Sequence, residues 1–226
     1  MKRTTCKTCT LKSDAAKSLS DIEIEILDKS CSQVLFDAGE IIIKQESLST
    51  SVAYVKTGLV KIHIRGPHKK RIIRITKAPA YLCLHSIIGS ATNQYSVSAL
   101  EKTMVCFIDV SIFKKFIFEN KEFAYQVLLD ISKSHILNIQ NLINITQKYH
   151  IGRVADTLLF FAKEIYNNAS FILPVSRQDL GEMIGITRES VCRILTNFHN
   201  EGIIEINGKK IEIKNESLLG QYSENG

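Results

Sequence analysis

The chain has 226 residues and a formal net charge of +6, and 45% of its residues are hydrophobic. This length suits two domains, and the apolar content is enough to bury a core in each. No apolar run is long enough to cross a membrane and no signal peptide is recognisable, so we expect no membrane partner and a cytoplasmic location. In that compartment the six cysteines are expected as thiols or metal ligands rather than as disulfides.

The N-terminal segment, residues 1–30, contains a pair of closely spaced cysteines. Cys6 and Cys9 form a C-x-x-C pair, a motif that is common in zinc sites and also occurs as a vestige. Further on, Ser20 and Glu23 have the spacing of a capping box, which predicts a short helix over 20–29.

The next segment, residues 31–118, is rich in short β-strands. Runs of Val, Ile, Tyr and Phe alternate with Gly, Pro, Ser and Asn, the usual pattern of strands and turns. Strands are predicted at 41–43, 52–55, 60–64, 72–75 and 104–108. Many short strands in sequence predict a roll or barrel.

A long helix is predicted to follow, over 119–146. Residues at alternating four- and three-residue steps form a coiled-coil-like seam. The seam consists of Ala124, Leu128, Ile131, His135, Asn138, Leu142 and Ile145. A polar pair in the middle of such a seam fixes the register at some cost in stability.

Two short helices joined by a glycine turn are predicted between residues 176 and 198. Ser176 and Asp179 have the spacing of a helix start, and Gly185 lies where the chain must turn sharply. Thr187 is a plausible N-cap for the second helix. The apolar face of that helix is formed by Val191, Ile194, Leu195 and Phe198. This arrangement is a helix-turn-helix, which indicates that the chain reads DNA.

The outward face of the second helix has residues suited to base recognition. The N-terminal turn of such a helix enters the major groove. Arginine binds guanine O6 and N7 with two hydrogen bonds, and glutamate accepts from cytosine N4. Arg188, Glu189 and Arg193 are therefore the predicted readers of base edges.

A β-hairpin wing is predicted after Gly202. Residues 203–213 alternate on both sides of Asn207-Gly208, a strong short-range signal for a hairpin. Its tip would present Lys209 and Lys210. Acidic and basic residues nearly balance from residue 147 onward, so DNA binding is inferred from the motif and not from charge.

The run TRESVCRIL at 187–195 closely resembles the recognition helix of the CRP/FNR transcription regulators, which have a characteristic R-E-x-V-x-R pattern. Two stretches, FDAGEII at 36–42 and VKTGLVK at 55–61, resemble the turn-and-strand elements of the cyclic-nucleotide-binding roll. The resemblance covers nearly the whole chain. It implies an α+β protein with an N-terminal double-stranded β-roll of the cupin or jelly-roll kind, a long dimerisation helix and a C-terminal winged helix-turn-helix.

The resemblance also implies a domain plan and a set of partners. The effector-sensing roll would occupy 31–118, the dimerisation helix 119–146 and the DNA-binding domain 147–220. The expected partners are a second copy in a homodimer, a palindromic double-stranded DNA operator and RNA polymerase. The expected DNA contacts are Ser176, Gln178, Thr187, Arg188, Glu189, Ser190, Arg193 and Lys209.

Cyclic AMP is not expected as the effector. Family members that bind it hold the phosphate with an arginine, and Tyr95 stands at the matching position here. Loss of a guanidinium removes a bidentate charged partner of the phosphate.

Two metal cofactors are considered from the resemblance. Cys6, Cys9 and Cys106 resemble the ligands of the oxygen-sensing branch, which holds a [4Fe–4S] cluster. Four thiolates are the usual requirement, and the remaining ligand position falls at Ala15, so Asp14 or Cys31 would have to substitute.

A haem is the other possibility. Cys83 and His85 stand in a C-x-H-S stretch that resembles the haem ligands of carbon-monoxide-sensing members, and both side-chain types are known axial ligands. The cofactor thus stays open between an iron–sulfur cluster, a haem and an unidentified effector, including direct thiol chemistry.

Two other classes of function are an enzyme and a structural protein. No arrangement of nucleophile, base and orienting group can be read from the sequence, and no G-x-x-x-x-G-K loop occurs, so we expect no enzyme. The remaining alternative is a structural or interaction dimer that does not bind DNA.

Overall fold

The computed structural model describes residues 5–226, which form two compact units. The main boundary between the units falls at Leu137 and Asn138, within one long helix, and the short stretch Lys70–Ile72 is grouped with the second unit.

The first unit begins with two helices, α1 (Asp14–Lys17) and α2 (Asp21–Lys29). The predicted capping box of α2 is confirmed: the backbone N–H of Ser20 donates to the carboxylate of Glu23 at 2.8 Å, and the Ser20 hydroxyl accepts from the Glu23 N–H. This arrangement satisfies two backbone donors that a helix start leaves free.

Eight strands and a short helix follow. They are β1 (Cys31–Phe36), β2 (Ile41–Ile43), β3 (Ser51–Thr57), β4 (Leu59–Arg65), β5 (Lys70–Lys77), β6 (Ala80–Leu82), α3 (Leu84–Gly89), β7 (Ser96–Ala99) and β8 (Thr103–Asp109). The strands form two four-stranded sheets with orders β1-β8-β3-β6 and β2-β7-β4-β5. All five segments predicted as strands are strands, and the predicted roll is confirmed.

The β1-β8-β3-β6 sheet has apolar packing on both faces. Because side chains alternate along a strand, Val55 and Val105 face the roll interior, and Tyr54 and Cys106 face the opposite way. The helices α1 and α2 pack on that second face. The buried cluster there includes Cys6, so the N-terminal segment belongs to the core of this unit.

Two helices complete the first unit, α4 (Val110–Glu119) and the start of α5 (Lys121–Gln147). Phe113 and Phe116 of α4 make edge contacts with Phe123 of α5, at centroid distances of 5.2 and 5.6 Å. The long helix predicted from the seam is confirmed, and it extends over 27 residues.

The second unit contains the C-terminal part of α5 and the elements after it. They are α6 (His150–Phe160), a π-helical turn (Phe161–Tyr166), β9 (Ser170–Ile172), α7 (Arg177–Ile184), α8 (Arg188–Asn200), β10 (Ile204–Asn207), β11 (Lys210–Ile213) and α9 (Glu216–Asn225). The three strands form one sheet of order β10-β11-β9, and α9 packs against α6.

The wing hairpin is present, with one difference in its turn. Asn207 pairs with Lys210, so the two loop residues are Gly208 and Lys209 and not Asn207 and Gly208. Gly208 has a φ of +61°, which a first loop residue of a tight hairpin requires and which glycine adopts at little cost.

Candidate functional site

The first helix of the helix-turn-helix, α7, begins and ends as its sequence predicts. The Ser176 hydroxyl accepts from the Asp179 N–H at 3.0 Å, and the Asp179 carboxylate accepts from the Ser176 N–H at 3.1 Å. At the other end Gly185 caps the helix in the left-handed conformation, with a φ of +77°. The helix is therefore limited to eight residues.

The turn between α7 and α8 depends on a close backbone approach. A Cβ atom at Gly181 would lie only 2.6 Å from the carbonyl oxygen of Ile186. The N–H groups of Gly185 and Ile186 both donate to the Gly181 carbonyl, at 2.8 and 3.1 Å. The chain can pass this closely only because Gly181 has no side chain.

The second helix, α8, exposes all three predicted readers. Thr187 is its N-cap, and the Thr187 hydroxyl accepts from the Ser190 N–H at 3.2 Å. Arg188, Glu189 and Arg193 are exposed. The opposite face is buried and consists of Val191, Ile194, Leu195 and Phe198. The helix thus keeps its apolar side in the core and directs two guanidinium groups and a carboxylate outward.

Local hydrogen bonds favour the ionised form of the Glu189 carboxyl. Its own backbone N–H and the Thr187 hydroxyl hold the pKa of the Glu189 carboxyl below its usual value. A carboxylate that is already ionised can accept a hydrogen bond from a base amino group without a proton having to leave first.

The other predicted DNA contacts fall into two groups. Ser176, Thr187 and Ser190 all take part in the N-terminal hydrogen bonds of α7 or α8. Gln178 is exposed, with its amide donating to Glu182 at 3.3 Å, and Lys209 is exposed at the wing tip. The helix-turn-helix and the wing tip therefore present separate polar groups to a partner.

Sequence reasoning missed one residue that connects the helix-turn-helix to the wing. The Nη2 of Arg177, the first residue of α7, donates to the carbonyl oxygen of Gly208 at 3.4 Å. Its Nη1 is buried and has no hydrogen-bond partner among residues 5–226. Arg177 thus joins the start of α7 to the wing turn, and only the long-range contact reveals this role.

Four cysteines line one pocket in the first unit, which we call the thiol pocket. Its cysteines are Cys6, Cys9, Cys31 and Cys106. The pocket holds about 430 Å³ of empty space, including the part open to solvent. Lys12, Lys56 and Tyr54 also line it. The structure therefore brings together the three cysteines singled out from the sequence and Cys31, one of the two residues considered as a substitute for the missing ligand.

Three of the four thiols in the pocket are linked by hydrogen bonds. Cys31 hydrogen-bonds to the thiols of both Cys106 and Cys6. The hydrogen bond with Cys31 lowers the pKa of Cys6, whereas the hydrogen bonds with Cys106 and Cys6, together with burial, raise the pKa of Cys31. None of the six cysteines, all of which lie within residues 5–226, forms a disulfide.

The other cysteine–histidine pair, Cys83 and His85, lies at the start of α3. Cys83 is buried in the left-handed conformation with a φ of +59°, and burial raises the pKa of its thiol to about 12. The His85 ring lies 5.0 Å from the Tyr95 ring, and partial desolvation of the imidazole together with the charge of Arg74 lowers the pKa of His85. The two predicted haem ligands are thus close in sequence but differ in exposure, since His85 is exposed.

Tyr95, which the sequence resemblance predicts to replace the phosphate-binding arginine of cyclic-nucleotide-binding members, is itself buried in the roll. Its side chain hydrogen-bonds to Cys83, and its hydroxyl oxygen lies 3.4 Å from Nδ1 of His85. Nearby, Arg74 of β5 is half-buried, and its Nε donates to the hydroxyl of Thr76 at 3.1 Å.

Between residues 5 and 226, no three His, Cys, Asp or Glu side chains are arranged to hold a single metal ion. None of the helices described in this range combines the length and apolar character needed to span a bilayer.

Two family models match the chain. The model for the Crp-like helix-turn-helix domain matches residues 152–222, and the model for the cyclic nucleotide-binding domain matches residues 33–120. The first match contains α7, α8 and the wing, and the second contains the roll.

Curated relatives match over most of their length. The fumarate and nitrate reduction regulatory protein of Escherichia coli K12 is 24% identical over 196 residues, covering 84% of this chain and 75% of the relative. The nitrogen fixation regulation protein FixK of Bradyrhizobium diazoefficiens is 23% identical, covering 89% of this chain and 86% of the relative.

Solved structures share the fold. FixK2 from Bradyrhizobium japonicum has a TM-score of 0.77 at 21% identity, covering 85% of this chain and 96% of that chain. A transcriptional regulator of the Crp/Fnr family from Eubacterium rectale has a TM-score of 0.78 at 18% identity, covering 92% of this chain and 96% of that chain.

Proposed function

Since this chain belongs to the CRP/FNR family of DNA-binding transcription regulators, we propose that it binds a two-fold symmetric operator as a homodimer and responds to an effector sensed by the roll. The proposed domains are the segment 1–30, the roll 31–118, the dimerisation helix 119–146 and the DNA-binding domain 147–220. RNA polymerase is the proposed protein partner, and because the operator is chromosomal DNA the proposed place of action is the cytoplasm.

The observation that carries this proposal is the outer face of α8. Arg188, Glu189 and Arg193 are exposed on a helix whose N-cap, Thr187, and whose buried face fix its orientation within the second unit. The three side chains can contact base edges without displacing a core residue. Each good contact would contribute roughly 1 to 3 kcal/mol of discrimination. Lys209 at the wing tip would contact a phosphate, which adds affinity without sequence preference.

The exposed face of α5 supports dimerisation. Leu128 and Leu142, two residues of the predicted seam, are 57% and 62% exposed. His135 and Asn138 of the same seam are also exposed, and Ile131 is half-buried. Exposed leucines at this spacing are best covered by the same helix of a second copy, where His135 and Asn138 would fix the register. A dimer of this kind presents two copies of α8 to two half-sites.

Selection from a pool of random DNA duplexes tests this function. The full-length protein, purified without oxygen, should enrich a palindrome whose half-sites lie about one helical turn apart. Native mass spectrometry should find two chains on each selected duplex. The selection is repeated with air-exposed protein, since the effector state sets the affinity. The proposal would be contradicted if neither the anaerobic nor the air-exposed protein enriched any sequence. Enrichment of an asymmetric site bound by one chain would also contradict it.

A second, finer function is favoured by the thiol pocket. Four cysteines are the ligand set that an iron–sulfur cluster requires, so the donors present fit this group in number and kind. We therefore propose that the protein senses redox state or a gas through an iron–sulfur cluster. We favour this cluster over a haem held by Cys83 and His85. The buried Cys83 thiol hydrogen-bonds to Tyr95, and a haem would have to displace that contact.

A further inference from the structure

The thiol pocket lies on the face of the β1-β8-β3-β6 sheet that points away from the roll interior. Strand register puts Gln33, Cys106, Tyr54 and Tyr81 in one row across the four strands. Cys31 is two residues before Gln33 and pairs with Ile108, so Cys31 and Cys106 are diagonal neighbours on the same face. Two of the four thiols therefore come from paired strands of a rigid sheet.

We propose that Cys31, contributed by strand β1, is the fourth ligand of a [4Fe–4S] cluster whose other ligands are Cys6, Cys9 and Cys106. This inference rests on the proposed sensing function and assigns the ligand that the N-terminal segment lacks. The Cys31 thiol hydrogen-bonds both to Cys6 of the N-terminal segment and to Cys106 of β8. It thus lies between the ligands that the sequence places far apart.

The two other residues near the expected ligand position are unsuited. Ala15 is fully buried in α1 and has only a methyl group, which is no ligand. The Asp14 side chain is 72% exposed, forms an ion pair with Lys17 at 2.8 Å, and does not line the pocket. Cys31 is 6% exposed and does line it.

One hydrogen bond holds Cys6 against α2, and two more hold the N-terminal segment against the sheet. The Cys6 N–H donates to Oδ1 of Asp28 at 2.7 Å, and the Tyr54 hydroxyl donates to the Leu11 carbonyl at 2.9 Å. The Ser13 and Tyr81 hydroxyls are 2.7 Å apart. Cys6 and Cys9 are thereby kept beside Cys31 and Cys106 by contacts that do not involve sulfur.

The charge and layout of the pocket agree with a cluster better than with a single ion. Lys12 and Lys56 line the pocket, and their charges would offset the negative charge of a four-thiolate cluster. A single zinc ion needs its sulfurs to converge at about 2.3 Å from one point. A cluster binds each thiolate at a different iron, so its four ligands need not converge on one point.

Anaerobic reconstitution with ferrous iron and sulfide tests the assignment. Wild-type protein should bind about four irons per chain, with matching acid-labile sulfide and a broad visible absorption band. The Cys31→Ser variant should lose that band and most of the iron, as Cys106→Ser should. The matched control is Cys192→Ser, which removes a thiol of the second unit and should retain full cluster content.

The assignment would be overturned if the Cys31→Ser variant bound iron and sulfide at the wild-type level. It would also be overturned if the wild-type protein bound neither iron nor sulfide. Circular dichroism of the metal-free proteins checks the fold, and Cys31→Ala replaces Cys31→Ser if the buried hydroxyl unfolds the roll. The reconstitution assay contains no DNA. The protein can therefore fail to bind a cluster and still select an operator, or bind a cluster and fail to select an operator. Failure of the cluster and failure of the regulator are therefore distinguishable.

Discussion

The hydroxyl of Tyr54, on strand β3, donates a 2.9 Å hydrogen bond to the carbonyl oxygen of Leu11, in the N-terminal segment. This bond joins the segment that contributes Cys6 and Cys9 to the sheet that contributes Cys31 and Cys106. The position of the segment is thus determined by the roll as well as by its own short helix α1.

Replacing Tyr54 with phenylalanine should loosen this segment. A buried or half-buried hydrogen bond contributes about 0.5 to 1.5 kcal/mol net, and the Leu11 carbonyl would lose its donor. In metal-free protein we expect faster alkylation of Cys6 and Cys9, measured by mass spectrometry, with a small decrease in the free energy of unfolding. Tyr149→Phe, at a tyrosine that is 77% exposed, is the control. Equal alkylation rates in all three proteins would contradict the role of Tyr54.

Replacing Gly181 with alanine should disrupt the helix-turn-helix. The new Cβ would lie 2.6 Å from the Ile186 carbonyl oxygen, and overpacking of this kind costs about 1 to 3 kcal/mol. Operator affinity should fall at least tenfold, measured by fluorescence anisotropy. Gly220→Ala in α9 is the control, since nothing lies within 4 Å of its new Cβ, and it should stabilise the domain by about 0.5 to 1 kcal/mol. The prediction is wrong if both variants bind alike.

Replacing Thr187 with alanine should weaken the start of α8. The Ser190 N–H would lose its 3.2 Å acceptor, and loss of an N-cap costs about 1 kcal/mol. Urea unfolding should detect this loss, whereas Thr187→Ser keeps the hydroxyl and should unfold at nearly the wild-type midpoint. Equal midpoints for the alanine and serine variants would show that the cap contributes nothing.

Replacing Lys209 with alanine should lower the salt dependence of DNA binding without changing its sequence preference. A lysine at the wing tip that neutralises one phosphate contributes about one unit to the slope of log affinity against log salt, so a dimer with two wings should lose about two units. The slope is measured on the selected operator and on a scrambled duplex. Lys114→Ala, in the first unit, is the control. A changed base preference in Lys209→Ala would instead indicate base readout by the wing.

Local signals in the sequence predict much of the second unit. The Ser176 and Asp179 pair, Gly185 and Thr187 each act within one helical turn, so their spacing alone locates the ends of α7 and α8. Strand β9 was not predicted, because its three residues are strand only through pairing with β11, far along the chain. The wing turn was misplaced by one residue because the alternation is compatible with either loop.

The thiol pocket was only partly predictable for a related reason. The C-x-x-C pair is visible in the sequence, but the proximity of Cys31 to Cys106 depends on the register between β1 and β8. A shift of one residue would turn Cys31 to the other face of the sheet. Arg177 escaped notice likewise, since its contact with Gly208 spans 31 residues.

Base reading by α8 can be tested by parallel selection from random DNA with wild-type protein and the Arg193→Ala variant. Arg193 is exposed on a helix that is otherwise unchanged, so the variant should fold and still bind DNA through its phosphate contacts. We predict that it loses preference at one base pair in each half-site, at symmetric positions, by roughly 5- to 150-fold. If the variant enriched the same palindrome with the same preference at every position, Arg193 would not be a reader of base edges.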